Sequence, residues 1–320
     1  MPEVADIFRD GENCLKKKYS YFLSTEHYHA IKDIISCRTP EMGYGTLSAC
    51  PNCGKRHFMW QSCGNRNCPK CGHEKVTRWL QKRQEDILPV DYFMATFTLG
   101  QEFHRICRQR PREIFEIFFK TASTALKELA LDKKYLGGKI GMMGTLQTWR
   151  RDGEFHPHIH FLIPGGGLSN DGKYWLFPKN RDFLIPAKPL AILFRNKFRA
   201  ALREFGLYEE IDPLAWSKNW VVDIKKVGKG MSSFKYVAPY MQRGFIGNNR
   251  IVEYDGINVK FRYKDGRTDE IKYRTLNALK FMLLYLQHVL PSGFMKTRYY
   301  GLEASANKQN RREIRLLILT

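Results

Sequence analysis

Apolar positions along the chain follow two periods, which divide it into predicted strands and predicted helices. Strands are predicted where apolar and polar residues alternate, or where aromatic and β-branched residues concentrate, at 92–99, 138–149, 156–164, 220–224, 250–254 and 258–263. Helices are predicted where apolar residues recur at three- and four-residue steps, at 6–36, 77–88, 111–130, 186–206, 232–241 and 275–288. We place a domain boundary near residue 88, where Pro89 ends a predicted helix, and expect the arginine-containing residues from 303 onwards to form a mobile basic tail. A basic hinge is expected at 225–230, directly after the strand 220–224.

The predicted strand 156–164 carries two histidines on one face. Side chains of a strand point alternately to its two faces, so His158 and His160 project together, roughly 7 Å apart along the strand. Two imidazoles held in this way can chelate one metal ion. The alternative is a pair that is only a surface feature or a satisfied part of the core, and the neighbouring segments have to decide between the two.

A hairpin turn brings a third polar side chain towards this pair. The Asp152-Gly153 step between strands 138–149 and 156–164 favours a tight turn, which makes these strands antiparallel neighbours. Gln147 would then lie beside the histidines and offer an oxygen as a third metal ligand. The sequence does not determine the pairing register, so this ligand is a hypothesis.

Two tyrosines share one face of the helix that is predicted to begin near Ser232. Tyr236 and Tyr240 are four residues apart, which on a helix places their side chains about 6 Å from one another. Pro239 lies between them, and a proline inside a helix removes a hydrogen bond and bends the axis. Tyrosines at this spacing can serve packing or chemistry, and the residues alone leave both open.

Five of the eight cysteines lie between residues 50 and 71 with the spacing of a metal site. Cys50 and Cys53 form one Cys-x-x-Cys pair, Cys68 and Cys71 form another, and each pair can direct two thiolates at one point. The two pairs predict a closed tetrahedral Zn²⁺ site that stabilises a small module. Cys63 is an alternative ligand that could replace one of the four, and His57, His73 and Cys37 are more remote candidates.

An excess of basic residues indicates a polyanionic partner. The chain has 53 Lys and Arg against 32 Asp and Glu, a formal net charge of +21. The sequence contains no apolar run of about 18 residues that could span a membrane, and its first residues lack the features of a signal peptide. Nucleic acid is therefore favoured over a membrane surface as the partner.

The order of four motifs resembles that of a known family. The motifs are Ser62-Cys63-Gly64-Asn65-Arg66-Asn67-Cys68-Pro69-Lys70-Cys71, then His156 to Gly166, then Tyr236 to Tyr240, and finally Leu290 to Phe294 with Arg298 to Gly301. Together they are similar to the motifs of the IS91-type transposases, two-tyrosine members of the HUH endonuclease superfamily. The resemblance covers roughly residues 10 to 302. Asn67 stands where many relatives are expected to have His, so a His ligand at that position is not supported.

The resemblance implies an α+β fold with an HUH-type central antiparallel sheet flanked by helices, preceded by a small helical, zinc-ribbon-like domain. It implies a zinc-binding, DNA-binding domain at 1–88, a tyrosine transposase domain at 89–302 and the basic tail at 303–320. The histidine pair would lie on a central strand and the two tyrosines on an adjacent helix. The expected location is the prokaryotic cytoplasm, in association with the nucleoid.

The resemblance also implies what individual residues do. His158 and His160, with Gln147 as the least certain ligand, would bind catalytic Mg²⁺ or Mn²⁺, and Tyr236 and Tyr240 would be nucleophiles. A metal ion is needed because a tyrosine hydroxyl with a pKa of about 10 attacks a phosphodiester poorly at neutral pH. The expected reaction nicks and rejoins single-stranded DNA at transposon ends and target through a 5′-phosphotyrosine intermediate, as in rolling-circle-type transposition. The basic residues expected to contact DNA are Lys225, Lys226, Lys229, Lys235, Arg243, Arg250 and Arg66.

Two other functions are compatible with parts of the pattern. A rolling-circle plasmid replication initiator would use the same nicking chemistry, but the zinc module and the closing motifs at 290–301 argue against it. A zinc-ribbon DNA-binding regulator without catalysis would need only the cysteine module and the basic charge. A covalent protein–DNA adduct would exclude the regulator.

Overall fold

The computed structural model describes residues 1–242, 244–266 and 268–319 of the chain. The helices are α1 (Val4–Tyr19), α2 (Thr25–Ser36), α3 (Pro69–Arg83), α4 (His104–Gln109), α5 (Pro111–Leu131), α6 (Ala187–Glu204), α7 (Leu214–Ser217), α8 (Met231–Gln242), α9 (Ala278–Leu286) and α10 (Lys308–Leu319). The strands are β1 (Gly45–Ala49), β2 (Arg56–Trp60), β3 (Asp91–Thr98), β4 (Met142–Trp149), β5 (Phe155–Pro164), β6 (Gly167–Leu168), β7 (Trp175–Leu176), β8 (Val222–Lys229), β9 (Ile251–Tyr254), β10 (Asn258–Lys264), β11 (Ile271–Asn277) and β12 (Thr297–Tyr300). Within these ranges, no helix is long and apolar enough to cross a bilayer.

The chain divides into two compact units, each assembled from separate stretches of the sequence. The first unit consists of residues 1–78, 149–155 and 242–292, and the second of residues 79–148, 156–241 and 293–320. This division differs from a single predicted boundary near residue 88. The difference arises because the first unit also takes in β9, β10, β11 and α9, which follow the predicted tyrosine helix in the sequence.

The first unit has its core around α1 and α9. Phe8 of α1 meets Tyr285 of α9 edge to face, with ring centroids 5.4 Å apart. The antiparallel sheet β11-β10-β9 contributes the fully buried Val259 and Phe261 to the same core. The helical pattern at 6–36 forms two helices rather than one, because the Ser24 side chain accepts the backbone N–H of His27 and caps a new helix.

The second unit is built on a five-stranded antiparallel sheet in the order β12-β4-β5-β3-β8. One face of this sheet is covered by α5 and α6. Phe97 and Phe161 pack edge to face 5.7 Å apart, and they meet Phe194 of α6 at 5.0 Å and Phe119 of α5 at 6.4 Å. This aromatic layer explains why β3 and β5 are buried along most of their length. The predicted α+β fold with a central antiparallel sheet flanked by helices is confirmed.

Helix α8 lies against the sheet face that carries His160. Near the start of α8, Phe234 packs edge to face on Tyr92 of β3, with centroids 5.3 Å apart. Near its end, Tyr240 contacts His160 of β5, with centroids 5.0 Å apart. The helix continues through residue 239, so the proline does not end it. Because sheet contacts hold both ends of α8, the positions of its tyrosines relative to the histidines are determined by packing.

Two segments differ from their predicted structure. The basic stretch beginning at Lys225, expected to be a hinge after a short strand, is part of β8, which pairs with β3 as far as Lys229. The residues expected to form a mobile tail contain α10 instead. Arg311 and Ile314 of α10 are buried, and the Arg311 guanidinium lies 3.4 Å from a carboxylate oxygen of Asp86.

Candidate active site

His158 and His160 lie side by side on β5, with ring centroids 4.7 Å apart. His158 donates its Nδ1–H to the backbone oxygen of His156 at 2.7 Å, because a carbonyl can only accept. The Nδ1 of His160 lies 3.0 Å from the hydroxyl of Thr96, which faces it directly across the β3–β5 ladder. Both rings are thus oriented through Nδ1 and have Nε2 as the nitrogen that can bind a metal ion.

Burial keeps both imidazoles neutral. It lowers the pKa of His158 to about 4 and that of His160 well below the usual value. For His160, the adjacent His158 ring and the positive charges of Lys225 and Lys296 lower the pKa further. Neutral imidazole is the form that binds a metal ion, so the pair is ready to act as a ligand at pH 7.

The two tyrosines of α8 differ in their surroundings. Tyr240 contacts the His160 ring, whereas Tyr236, one turn earlier, lies 6.0 Å from Tyr240 between ring centroids. Tyr236 is 41% exposed, and the Nζ of Lys225 lies 5.8 Å from the centre of its ring. The structure therefore brings both tyrosines to the histidine face, with Tyr240 next to the imidazoles and Tyr236 next to a lysine.

Gln147 reaches the same place from β4. Its buried side chain donates Nε2–H to the backbone oxygen of Tyr240 at 3.0 Å. Gly144 of β4 faces Phe161, so strand alternation puts Gln147 on the opposite face, which is the face of the histidines. Because the amide nitrogen is used for Tyr240, the amide oxygen is the atom that could bind a metal ion.

A separate cysteine cluster lies in the first unit. The sulfurs of Cys37, Cys63, Cys68 and Cys71 all lie within 4.8 Å of one another. Cys71 Sγ is 3.7 Å from both Cys37 Sγ and Cys63 Sγ. This is close to the edge, about 3.8 Å, of a tetrahedron with Zn–S bonds of about 2.3 Å. Hydrogen bonds among the four thiols lower the pKa of Cys37 and Cys71 and raise that of Cys63 and Cys68.

Comparisons with known proteins identify the family of the chain. Residues 141–311 match a family model described as "Putative transposase", and residues 7–99 match one described as "Transposase zinc-binding domain". The putative transposase y4qJ of Sinorhizobium fredii is 34% identical over 320 residues, covering 94% of this chain and 80% of that protein. The transposase for insertion sequence element IS801 of Pseudomonas savastanoi pv. phaseolicola is 24% identical over 301 residues, covering 86% and 70% respectively.

The chain belongs to the IS91-type transposases. Membership confirms the predicted family and makes DNA the partner that the net charge of +21 indicates. The zinc-binding family model covers the cysteine cluster of the transposase, which supports a structural Zn²⁺ ion.

The cluster contains two of the four predicted cysteine ligands of the transposase. It shares Cys68 and Cys71 with the predicted set, but Cys37 and Cys63 take the places expected for Cys50 and Cys53. Cys50 and Cys53 lie in the turn of the β1–β2 hairpin, outside the cluster.

The cluster includes Cys37 and Cys63 because of a backbone contact at the base of the β1–β2 hairpin. The Arg38 N–H donates to the Gln61 oxygen at 3.1 Å, which brings Cys37 and Cys63 together on either side of the hairpin. The hairpin then extends over five paired residues to the Cys50–Cys53 turn, or about 15 Å. Asn67 is turned towards Asn65, whose Oδ1 accepts its backbone N–H at 2.8 Å, and it does not belong to the cluster.

The basic residues expected to contact DNA fall into distinct environments. Lys225 and Lys229 on β8 and Lys235 on α8 are exposed on the elements that build the histidine and tyrosine site. Lys226, by contrast, forms ion pairs with Asp91 at 3.0 Å and Asp182 at 3.1 Å. A phosphate would have to compete with these carboxylates for Lys226.

Two of the three arginines of that set lie in the first unit. Arg250 donates to the backbone oxygens of Arg262 at 2.9 Å and Arg151 at 2.6 Å, and burial lowers its pKa. Burial also lowers the pKa of the half-buried Arg66. The third, Arg243, lies outside the described residues. Arg250 thus braces backbone segments of the first unit, and its contact with DNA stays a prediction.

Two residues that act on the histidines were not identified from the sequence. Thr96 orients His160, and its position opposite His160 could have been found only from the register of β3 against β5. Lys296 lowers the pKa of both histidines through its charge, although it lies more than a hundred residues further along the chain. Local patterns carry no signal for either contact.

Proposed function

We propose that the transposase nicks and rejoins single-stranded DNA at element ends through a 5′-phosphotyrosine intermediate, in rolling-circle-type transposition. The observation that carries this proposal is the contact of two residues, His160 and Gln147, with Tyr240. The Tyr240 ring contacts His160 at 5.0 Å, and its backbone oxygen accepts the Gln147 amide at 3.0 Å. A nucleophile beside a set of metal-binding side chains is the arrangement that phosphodiester cleavage by tyrosine requires.

His158, His160 and Gln147 are the residues that would hold a catalytic Mg²⁺ or Mn²⁺ ion. The fit rests on the engaged Nδ1 atoms of both histidines, which direct Nε2 towards a ligand, and on the lowered pKa of both rings. Two imidazole donors favour Mn²⁺ over Mg²⁺. When bound, the ion would polarise the scissile phosphate and reduce the negative charge on its oxygens.

Tyr240 supplies the attacking atom. Its Oη forms a bond to the phosphorus, the bond between phosphorus and the 3′ oxygen breaks, and the phenolic proton is passed on to the departing 3′ oxygen. The products are a 5′-phosphotyrosine link and a free 3′-OH. Because the phosphodiester energy is kept in the link, attack by a 3′-OH can rejoin DNA without a nucleotide cofactor.

Two lysines add positive charge where phosphates would collect. Lys225 lies 5.8 Å from the Tyr236 ring, and Lys225 and Lys296 both act electrostatically on His160. Fixed cations beside the reacting groups offset the charge that develops on a phosphate during transfer. Tyr236, close to Lys225, would serve as the second acceptor of a strand.

A covalent adduct assay tests this function. Single-stranded oligonucleotides that span an element end, labelled at the 5′ or the 3′ end, are incubated with the transposase and Mn²⁺ or Mg²⁺. We expect the 3′-labelled product to remain attached to protein in a denaturing gel, and peptide mass analysis to place the DNA on Tyr240. Duplex of the same sequence and reactions without added divalent ion are the controls. No adduct with any end sequence would contradict the proposal and favour a DNA-binding regulator.

We also propose that Cys37, Cys63, Cys68 and Cys71 are the ligands of the structural Zn²⁺ ion. We expect Cys63→Ser to reduce bound zinc from one ion per chain to below about a tenth and to remove the folding free energy that the ion supplies. Cys50→Ser is the matched control, because it removes an equivalent thiol from outside the cluster. Zinc per chain is measured after dialysis against a weak chelator, and zinc loss in Cys50→Ser with retention in Cys63→Ser would restore the ligand set expected from spacing.

A further inference from the structure

The three-stranded sheet of the first unit has one face that the described part of the chain leaves uncovered. Val259 and Phe261 of β10 are fully buried in the core. Because side chains alternate along a strand, Lys260, Arg262 and Lys264 project from the other side. We call this surface the open face; it consists of Lys260, Arg262 and Lys264 of β10 and of Ile271, Tyr273 and Thr275 of β11.

The register of β10 against β11 places an aromatic ring in the middle of the open face. Arg262 pairs directly with Tyr273, and directly paired residues share a face with Cβ atoms about 5 Å apart. The Nζ of Lys260 lies 5.6 Å from the centre of the Tyr273 ring. Tyr273 is 58% exposed. The open face therefore presents one accessible ring with the Lys260 cation beside it, while the Arg262 guanidinium donates to the backbone oxygen of Asn249 at 3.1 Å.

We infer that the open face binds single-stranded DNA. The Cα atoms of neighbouring basic residues on β10 are about 7 Å apart, since each pair spans two residues of about 3.4 Å rise, and this is comparable to the spacing of phosphates along an extended strand. Long basic side chains attached at that spacing can reach successive phosphates, while the exposed Tyr273 ring offers a stacking surface for a base of any sequence.

The arrangement favours this occupant over the alternatives. Paired bases inside a duplex cannot stack on Tyr273, and a protein partner would call for an apolar patch rather than a ring between charges. Two acidic groups lie near the open face: Glu253 of β9 is opposite Lys260 in the strand register, and Asp269 forms an ion pair with Lys264. The centre, formed by Arg262, Tyr273 and the amino group of Lys260, is the part that attracts a strand most strongly.

Fluorescence anisotropy with a labelled twenty-nucleotide oligothymidine tests the inference, using the full chain without added divalent ion. We expect Tyr273→Ala to raise the Kd roughly tenfold and Tyr273→Phe to leave it within about twofold, because phenylalanine keeps the stacking surface. Lys260→Ala with Arg262→Ala should raise the Kd by about tenfold and make binding less dependent on salt. The double variant Lys17→Ala with Lys280→Ala is the matched control, since it removes two exposed charges of the same unit elsewhere.

Three results would overturn the inference. The first is an equal Kd for Tyr273→Ala and Tyr273→Phe. The second is an equal rise in Kd for the Lys260→Ala/Arg262→Ala variant and for the Lys17→Ala/Lys280→Ala control. The third is a rise in Kd for Tyr273→Ala that is as large on duplex DNA as on single-stranded DNA. The inference rests on DNA as the partner but not on the chemistry of Tyr240. Covalent adduct formation at saturating oligonucleotide should be unchanged in the open-face variants, so failure of the adduct assay and failure of this binding test are separate outcomes.

Discussion

Tyr240→Phe lowers the rate of covalent adduct formation by at least about a thousandfold, the scale of loss seen when a nucleophile is removed from an active site. The variant lacks only the hydroxyl oxygen that attacks phosphorus. Its ring keeps the contact with His160, and its backbone oxygen still accepts the Gln147 amide, so we expect the fold and the affinity for DNA to be retained. The measurement is single-turnover adduct formation on an oligonucleotide with one cleavage site, together with thermal unfolding.

Tyr236→Phe is the matched control on the same helix. It removes the same atom from the tyrosine that contacts Lys225 rather than His160. We expect it to form the first adduct at close to the normal rate and to lose transfer between two DNA ends. Normal adduct formation by Tyr240→Phe combined with loss in Tyr236→Phe would reverse the roles of the two tyrosines.

His158→Ala lowers cleavage by at least about a hundredfold while DNA binding without divalent ion stays within about twofold. His158 is preferred to His160 for this test because the His160 ring also contacts Tyr240, whereas the Nδ1–H of His158 donates to the backbone oxygen of His156. The measurement is the cleavage rate as a function of Mn²⁺ concentration, combined with calorimetric titration of Mn²⁺ into the protein.

His29→Ala is the control for the loss of a histidine, since His29 is exposed on α2 of the first unit. It should leave both the Mn²⁺ titration and the cleavage rate unchanged. If His158→Ala still cleaved DNA at the normal rate and bound Mn²⁺ as the parent does, the assignment of the histidine pair to a metal ion would be wrong.

The histidine strand and the tyrosine helix could be predicted because their signals are local. Alternation over 156–164 and the Asp152-Gly153 step set a strand and a tight turn, and both form in the structure as β5 and the β4–β5 connection. The four-residue spacing of Tyr236 and Tyr240 likewise needs only a helix, and α8 supplies it. What the sequence could not provide was the approach of α8 to β5, which depends on packing of Phe234 against Tyr92.

The cysteine cluster has a membership that local spacing alone does not select. Cys50-x-x-Cys53 and Cys68-x-x-Cys71 are the same pattern in sequence, but only the second pair joins the cluster. The choice is made by the Arg38–Gln61 backbone hydrogen bond, which closes a loop of more than twenty residues. No sequence motif predicts this backbone contact. Cys37 lies directly after α2, and a rule based on the spacing between cysteines does not select it.

The charged segments were misjudged for a different reason. Lys225, Lys226 and Lys229 indicated a hinge, yet charged residues are common on edge strands, where they discourage pairing with another chain. β8 is the edge strand next to β3 in the sheet order. The C-terminal residues were expected to remain solvated because of their arginines. Instead, the buried Arg311 forms an ion pair with Asp86, and a contact between residues so far apart in the sequence cannot be predicted from a local pattern.

Two DNA strands attached to neighbouring turns of α8 would crowd their phosphates into a very small volume. The rings of Tyr236 and Tyr240 are 6.0 Å apart, a distance at which two anionic groups in a partly buried setting repel one another by several kcal/mol. If both tyrosines carried DNA in the proposed reaction, this repulsion would be relieved when the 3′-OH freed by the second cut attacked the first phosphotyrosine and released Tyr240. The one-turn spacing on α8 would thus couple the second cut to release of the first end.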